Sequence, residues 1–156
     1  MAIILGIVLF DQLTKIAAQN ILPTMPGGTY AVFPGFASFT YVQNTGAAFS
    51  IFSGATAVLG VVSLVLAGVL CWFLIKTAKY RSILLMLALT FLIGGAVGNV
   101  IDRFMLGYVR DMIQFTFVNF AVFNVADSFA CIGAVLLGVF LLFKWDRIKA
   151  RQAQKE

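Results

Sequence analysis

The sequence predicts an all-α integral membrane protein: four transmembrane helices, with a small β-rich element on the outer, extracytoplasmic face. Three observations predict it. The 156-residue chain is 62% hydrophobic and 11% charged, against about 45–50% and about 25% in soluble domains, so too few charges remain to cover a water-facing surface. Four stretches approach the roughly 20 apolar residues that a bilayer core about 30 Å thick demands of a helix. The basic residues are gathered in two short segments rather than spread along the chain.

The elements follow in order. Residues 1–22 are the weakest candidate span, because Asp11 and Lys15 lie inside it. A secretory signal peptide is the rival reading, but the stretch lacks a basic leading region and a small-residue cleavage site in the usual register. Residues 23–54 carry no charge and contain Pro23, Pro26 and Pro34. Short β-like runs at 29–33 and 36–42, with alternation clearest from Ala37 to Val42, predict a small sheet on the outer surface. Its aromatics Phe33, Phe36, Phe39 and Tyr41 are then expected at headgroup depth; an ordinary interfacial loop is the competing reading. Residues 55–75 are an uncharged second span, residues 82–101 the third, and residues 120–143 the fourth, with Asp127 near its start. Residues 102–119 read as an outer connection. There is no internal repeat and no flexible linker, so residues 1–156 are expected to form a single membrane-embedded domain.

Charge sets the orientation. Lys76, Lys79 and Arg81 fill the connection between spans two and three, and Lys144, Arg147, Lys149, Arg151 and Lys155 fill the tail. These eight of the eleven Lys and Arg residues fall on one side of a four-span chain, and the positive-inside rule makes that side cytoplasmic. Both termini are therefore expected in the cytoplasm. The net charge of +5 is explained by topology, and a nucleic-acid partner is not expected. A polybasic tail also suits anionic membrane lipid.

Other function classes fall away. With no histidine in the chain, Ser-His-Asp triads and His-ligated metal sites are excluded. Cys71 and Cys131 are too few for a zinc site of their own or a disulfide framework, and each reads as a small core residue. No metal and no cofactor are expected.

Seven charged residues lie outside the basic segments: Asp11, Lys15, Asp102, Arg103, Arg110, Asp111 and Asp127. All fall in or beside the predicted spans, near the outer side. An ionisable group there is expensive and is a functional hypothesis by default. Asp11 and Lys15 stand i,i+4 on one helix face and read as a salt bridge that positions a helix end. Asn99, Asp102 and Arg103 share a face at the end of span three, after the small residues Gly94, Gly95, Ala96 and Gly98, which let helices approach closely. Asn124 and Asp127 stand i,i+3 on span four, and the connection returns Asp111 to their neighbourhood. Two carboxylates in a poorly solvated site cannot both ionise cheaply. Such a pair can activate a water and protonate a carbonyl or a leaving amine in turn. A Ser–Lys mechanism through Lys15 lacks a serine in a nucleophile motif beside it. Proton-coupled transporters also bury acids in their spans, so on these grounds alone an enzyme and a small proton-coupled transporter stand level.

Five motifs are more specific. Asp11-Gln12-Leu13-Thr14-Lys15 resembles the D-x-x-[ST]-K element of bacterial lipoprotein signal peptidase, the type II signal peptidase. Asn44 to Phe49 resembles its N-x-G-A-A-F element, and Gly94 to Arg103 its G-G-A-x-G-N-x-x-D-R element. Gly107 to Met112 is similar to G-x-V-x-D-F, and Phe123 to Asp127 to F-N-x-A-D. They fall in the family's order between residues 11 and 127. The resemblance implies an aspartic endopeptidase of the bacterial inner membrane, active near the outer face. Its substrate would be a diacylglyceryl-modified prolipoprotein, cut just before the lipidated cysteine. It implies Asp111 and Asp127 as the catalytic pair, with Asn44, Gly46, Asn99, Arg103 and Asn124 lining the site. Asp11, Lys15 and Asp102 would support it. Cyclic peptide antibiotics such as globomycin would occupy the same site. One chain carries every motif, so a monomer suffices. Two departures stand out: the family usually has a basic stretch before the first span, and Met112 stands where Phe is most common. The second swap keeps size and apolarity, so no change of activity class is expected.

Overall fold

A computed structural model of the chain describes residues 1–46 and 54–144. Four helices form the body: α1 (Ala2–Ile21), α2 (Thr56–Thr77), α3 (Ile83–Leu106) and α4 (Val125–Phe143). Each is long and apolar enough to cross a membrane. Leu5, Leu9 and Leu13 of α1, Val58, Val61 and Val65 of α2, and Val135, Leu141 and Leu142 of α4 point outward. A soluble chain would not present such faces; a lipid-embedded one needs them. The protein is an integral membrane protein with a small sheet at one end of its bundle.

Helix α3 is the hub. It packs on each of the other three helices and is the most buried of the four. Its glycines explain the close approach. A Cβ on Gly95 would run into the backbone oxygen of Ala126 on α4, and one on Gly94 would come within 2.9 Å of Ile7 on α1. From the α4 side, a Cβ on Gly133 would fall 2.8 Å from both Ala88 O and Leu92 N. Small residues thus bring backbones into contact where apolar burial between helices gives no driving force in lipid.

Three strands form an antiparallel sheet in the order β1 (Thr29–Phe33), β2 (Ala37–Asn44), β3 (Val109–Phe115). The first two match the runs expected from sequence. The third lies in what reads as a plain connection. Its partner β2 is some seventy positions away in sequence, so no local pattern announces the pairing. The β3 strand is joined in turn to the chain before α4: the Ile113 N–H donates to Phe123 O at 2.8 Å, and the Phe123 N–H returns to Ile113 O at 3.0 Å.

Two helix ends also differ from the sequence reading. Helix α3 runs on to Leu106, so Asp102 and Arg103 are helical, and Gly107 ends it with φ +78°. That left-handed residue is the usual way to stop a helix, and glycine adopts it without strain. Helix α4 starts at Val125 rather than near 120, because Asn124 caps it. Phe120 and Phe123 instead join Phe36, Phe115 and Phe117 in an aromatic cluster that ties the β1–β2 turn to this loop; the Phe36 and Phe117 rings stack at 4.6 Å. Ala47, Ala48 and Phe49 of the second motif, and the basic tail beyond Lys144, lie outside the described residues.

Candidate active site

The site lies where α1 ends, α3 ends and α4 begins, beneath β2 and β3. It has two layers, and both are built from the seven charges.

The lower layer is an ion cluster. Lys15 Nζ sits 2.9 Å from Asp11 Oδ2 and 3.4 Å from Asp102 Oδ2, all three side chains fully buried. Arg110 grips the same Asp102: its backbone N–H donates to Oδ2 at 2.9 Å, Nε to Oδ2 at 3.2 Å and Nη2 to Oδ1 at 2.7 Å. Asp102 holds the Arg110 guanidinium above its ordinary pKa through these bonds. Asp11 reaches α4 by accepting the Ala126 N–H at 2.9 Å, a carboxylate placed at a helix start as the helix dipole favours. Unpaired, any of these ions would be costly; paired and hydrogen-bonded, they join α1, α3, α4 and β3 at one depth.

The upper layer holds the two remaining acids. Asp111 is 2% exposed on β3, and Asp127 is in the first turn of α4. Three asparagines hold them, and in each the amide oxygen is occupied by a fixed donor. Asn44 Oδ1 accepts the Gly46 N–H at 2.9 Å, which leaves Nδ2 to donate to Asp111 Oδ2 at 2.9 Å. Asn124 Oδ1 accepts the Asp127 N–H at 2.9 Å in a capping box, and its Nδ2 donates to Asp111 Oδ1 at 2.7 Å. Asn99 Oδ1 accepts from Lys15 Nζ at 2.8 Å and from Asn124 Nδ2 at 3.0 Å, and its Nδ2 donates to Asp127 Oδ1 at 2.7 Å. An ammonium can only donate, so Lys15 decides which end of Asn99 faces Asp127. The second oxygen of Asp127 accepts the Asn124 N–H at 3.2 Å.

A bulge in the sheet aims Asn44. From Phe39↔Ile113 to Val42↔Asp111, β2 advances three residues while β3 advances two. The extra residue switches the alternation of β2, so Asn44 shares a face with Asp111 rather than with Ser38 and Thr40. Ser38 and Thr40 instead donate to Gln114 Oε1 on the opposite face, at 3.4 and 3.0 Å.

Burial pushes the Asp111 carboxyl up to about 6, helped by the negative charge of Asp127 and opposed by the bonds from Asn44 and Asn124. Arg103 faces both acids across the site, its Nη2 donating to Gly46 O at 3.4 Å and its buried Nε without a partner among the described residues. Every residue singled out from sequence is thus in one of the two layers: Asp11, Lys15 and Asp102 below, and Asn44, Gly46, Asn99, Arg103, Asp111, Asn124 and Asp127 above. Sequence reasoning missed Gln12, whose Nε2 donates to Asp102 Oδ1 at 3.2 Å and whose Oε1 accepts from Arg110 Nη2 at 2.8 Å. It counted Arg110 among the seven charges but gave it no partner; the structure pairs it with Asp102.

Residues 3–143 match the family described as signal peptidase (SPase) II. The chain is 44% identical over 142 residues to a lipoprotein signal peptidase of Caldanaerobacter subterraneus subsp. tengcongensis, covering 91% of this chain and 94% of that one. It is 39% identical over 140 residues to a lipoprotein signal peptidase of Streptococcus pneumoniae, covering 90% of each. Two solved structures described as bacterial membrane enzymes share the fold. One has a TM-score of 0.83 at 34% identity, over 90% of this chain and 85% of the other. The second has a TM-score of 0.79 at 36% identity, over 92% of each.

Proposed function

The chain belongs to the signal peptidase II family, and on that premise we propose that it is an aspartic endopeptidase that releases the signal peptide of diacylglyceryl-modified prolipoproteins. The cut falls just before the lipidated cysteine. The observation that carries the reading is the pair Asp111, buried, and Asp127, half-buried, each held at both oxygens by N–H donors. Formal charge agrees. The seven residues hold three cations and four acids, so one proton on the pair makes the whole set neutral, the cheapest state in a low-dielectric site.

Such a pair hydrolyses an amide without further help. The ionised carboxylate takes a proton from water as the oxygen attacks the scissile carbonyl, and the neutral partner gives its proton to the carbonyl oxygen. The carboxyl group that took the water's proton then gives it to the scissile nitrogen, while the other, now a carboxylate, takes a proton back from a hydroxyl of the tetrahedral diol; the C–N bond breaks, the carbonyl re-forms as a carboxylic acid, and the nitrogen leaves as the amine of the cysteine. Arg103 and Asn99 are suited to hold the substrate backbone, since Arg103 has a buried Nε with no partner among the described residues. Residues 1–156 work as one peptidase domain in the bacterial inner membrane, termini in the cytoplasm and site toward the outer face, where a lipid-anchored scissile bond lies. A monomer suffices. Globomycin-like cyclic peptides compete for this site. The proton-coupled transporter finds no support in the family match.

The test is cleavage of a diacylglyceryl prolipoprotein by purified protein, with mass spectrometry of the products to fix the cut. Asp111→Asn and Asp127→Asn are expected to lower the rate about a thousandfold or more while leaving the helix content and melting temperature of the protein in place. Full processing by either variant would sink the dyad.

A further inference from the structure

Arg110 is buried on β3, one residue before Asp111. Neighbours on a strand point to opposite faces, so its side chain turns away from that acid and toward α1. There Gln12 Oε1 accepts from Nη2 at 2.8 Å, and Gln19 Oε1 accepts from Nη1 at 3.3 Å. The two glutamines stand about two turns apart on α1, so one helix face presents both acceptors. In the sequence Arg110 falls at an open position of the G-x-V-x-D-F pattern, whereas Lys15, Asn99 and Asp102 fall at fixed positions of theirs.

The two cations of the lower layer compete for Asp102. Arg110 takes it at both oxygens, with contacts from 2.7 to 3.2 Å, while Lys15 stands back at 3.4 Å. The short contacts of Lys15 go elsewhere, to Asp11 Oδ2 at 2.9 Å and to Asn99 Oδ1 at 2.8 Å. A guanidinium is a fixed fork that fits a carboxylate; an ammonium is a point charge on a flexible stem, free to follow the stronger attraction. Without the fork, Asp102 would draw Lys15 toward itself and off Asn99. We propose that Arg110 is a positioning residue for the cleavage: by occupying Asp102 it leaves the Lys15 ammonium to Asn99, and so keeps the Asn99 amide turned toward Asp127. The inference rests on the peptidase reading. Arg110 acts through Asp102 and Lys15 rather than on a reacting atom.

Charge gives this link a signature. The groups around the pair are Asp11 and Lys15 of α1, Asp102 and Arg103 of α3, and Arg110 of β3, with Tyr41 of β2 facing Arg110 and Tyr108 beside that phenol. Asp11, Asp102, Lys15 and Arg110 together are neutral. Loss of the guanidinium leaves this layer with one uncompensated negative charge, and it moves toward Asp102 the Lys15 charge that draws the Asp111 carboxyl down. Both changes favour the proton on the pair. The limb of the pH–rate profile on which cleavage is lost as Asp111 ionises then moves to higher pH.

A double-mutant cycle on the purified full-length protein tests this, with kcat, KM and the pH–rate profile read on a diacylglyceryl prolipoprotein. In Arg110→Gln, kcat is expected to fall at least about tenfold, the cost of a misplaced group at the chemistry, with KM held within about twofold. The limb is expected to rise by about half a pH unit or more, less than the roughly 1–3 units that a charge in direct contact commands. Arg110→Lys keeps the charge and is expected to leave the limb in place. In an Asp102→Asn background there is no carboxylate to occupy, so adding Arg110→Gln is expected to carry no kcat penalty. An unmoved limb in Arg110→Gln, a limb that rises as far in Arg110→Lys, or a loss confined to KM overturns the inference. So does an equal kcat penalty in both backgrounds. Should either single variant fail to fold, the charge-balanced double variant decides: kcat within about tenfold of wild type supports the link through Asp102, and a larger fall overturns it. If wild type itself cleaves nothing, the peptidase reading fails instead.

Discussion

Asn124 does two jobs with two ends of one amide. Its oxygen caps α4, and its nitrogen bonds Asp111. Asn44 repeats the device: its oxygen closes a turn on Gly46, and its nitrogen bonds the other oxygen of Asp111. In both residues the local bond that caps a helix or closes a turn is also what aims the amide nitrogen at Asp111. The proposed attack needs one proton on the pair, so kcat/KM is expected to fall as Asp111 ionises through about 6. An N–H bonded to a carboxylate favours its charged form. Asn44→Ala removes that donor, and the limb of the pH–rate profile is expected to move to higher pH. A limb that moves to lower pH would contradict the assignment.

The elements meet under tight tolerances. Gly95 touches the backbone of α4 one residue from Asp127, so its Cβ cannot be added without parting α3 from α4. Gly95→Ala is expected to cost about 1–3 kcal/mol, read as a lower melting temperature in detergent, with a matching loss of cleavage because Asn99 and Asp127 sit on the separated helices. Gly6→Ala, in open space, is the control and should leave both readings unchanged. The bulge in β2 offers a second handle. Deleting Tyr41 removes the extra residue and returns Asn44 to the face of Ser38 and Thr40. Cleavage is expected to drop at least about tenfold, with the helical circular dichroism signal retained. Activity that survives the deletion would show that the alternation does not aim Asn44.

At the scale of the whole molecule, the charges divide into two sets with different work. Lys76, Lys79 and Arg81 belong to the α2–α3 connection, at the end of the bundle opposite the sheet. A cysteine placed at Lys79 is expected to resist a membrane-impermeant thiol reagent added to intact cells, and one placed at Gly35 in the β1–β2 turn to react. The reverse pattern would invert the orientation argued from the basic loop. The other seven charges gather in the two layers at the sheet end of the bundle, where any unpaired ion is costly.

Sequence by itself determined the class of this protein. Apolar length gives the four helices, the clustered bases give their expected orientation, and the scarcity of other charges exposes the candidate site residues, because in lipid a charge needs a reason. The i,i+4 spacing of Asp11 and Lys15 already contained their ion pair. Only the tertiary structure decided what those residues touch. The β3 strand pairs with a partner far away in sequence, so the strand that carries Asp111 has no local signature. Asn44 faces Asp111 because of one extra residue in β2, and alternation read from sequence would place it on the other face. Gln12 looks like an ordinary polar residue, and Arg110 a charge without a partner, until α1, α3 and β3 converge on Asp102. Periodicity and burial cost act along the chain and are readable there; register, amide orientation and the pairing of buried ions arise only when distant segments share one small volume.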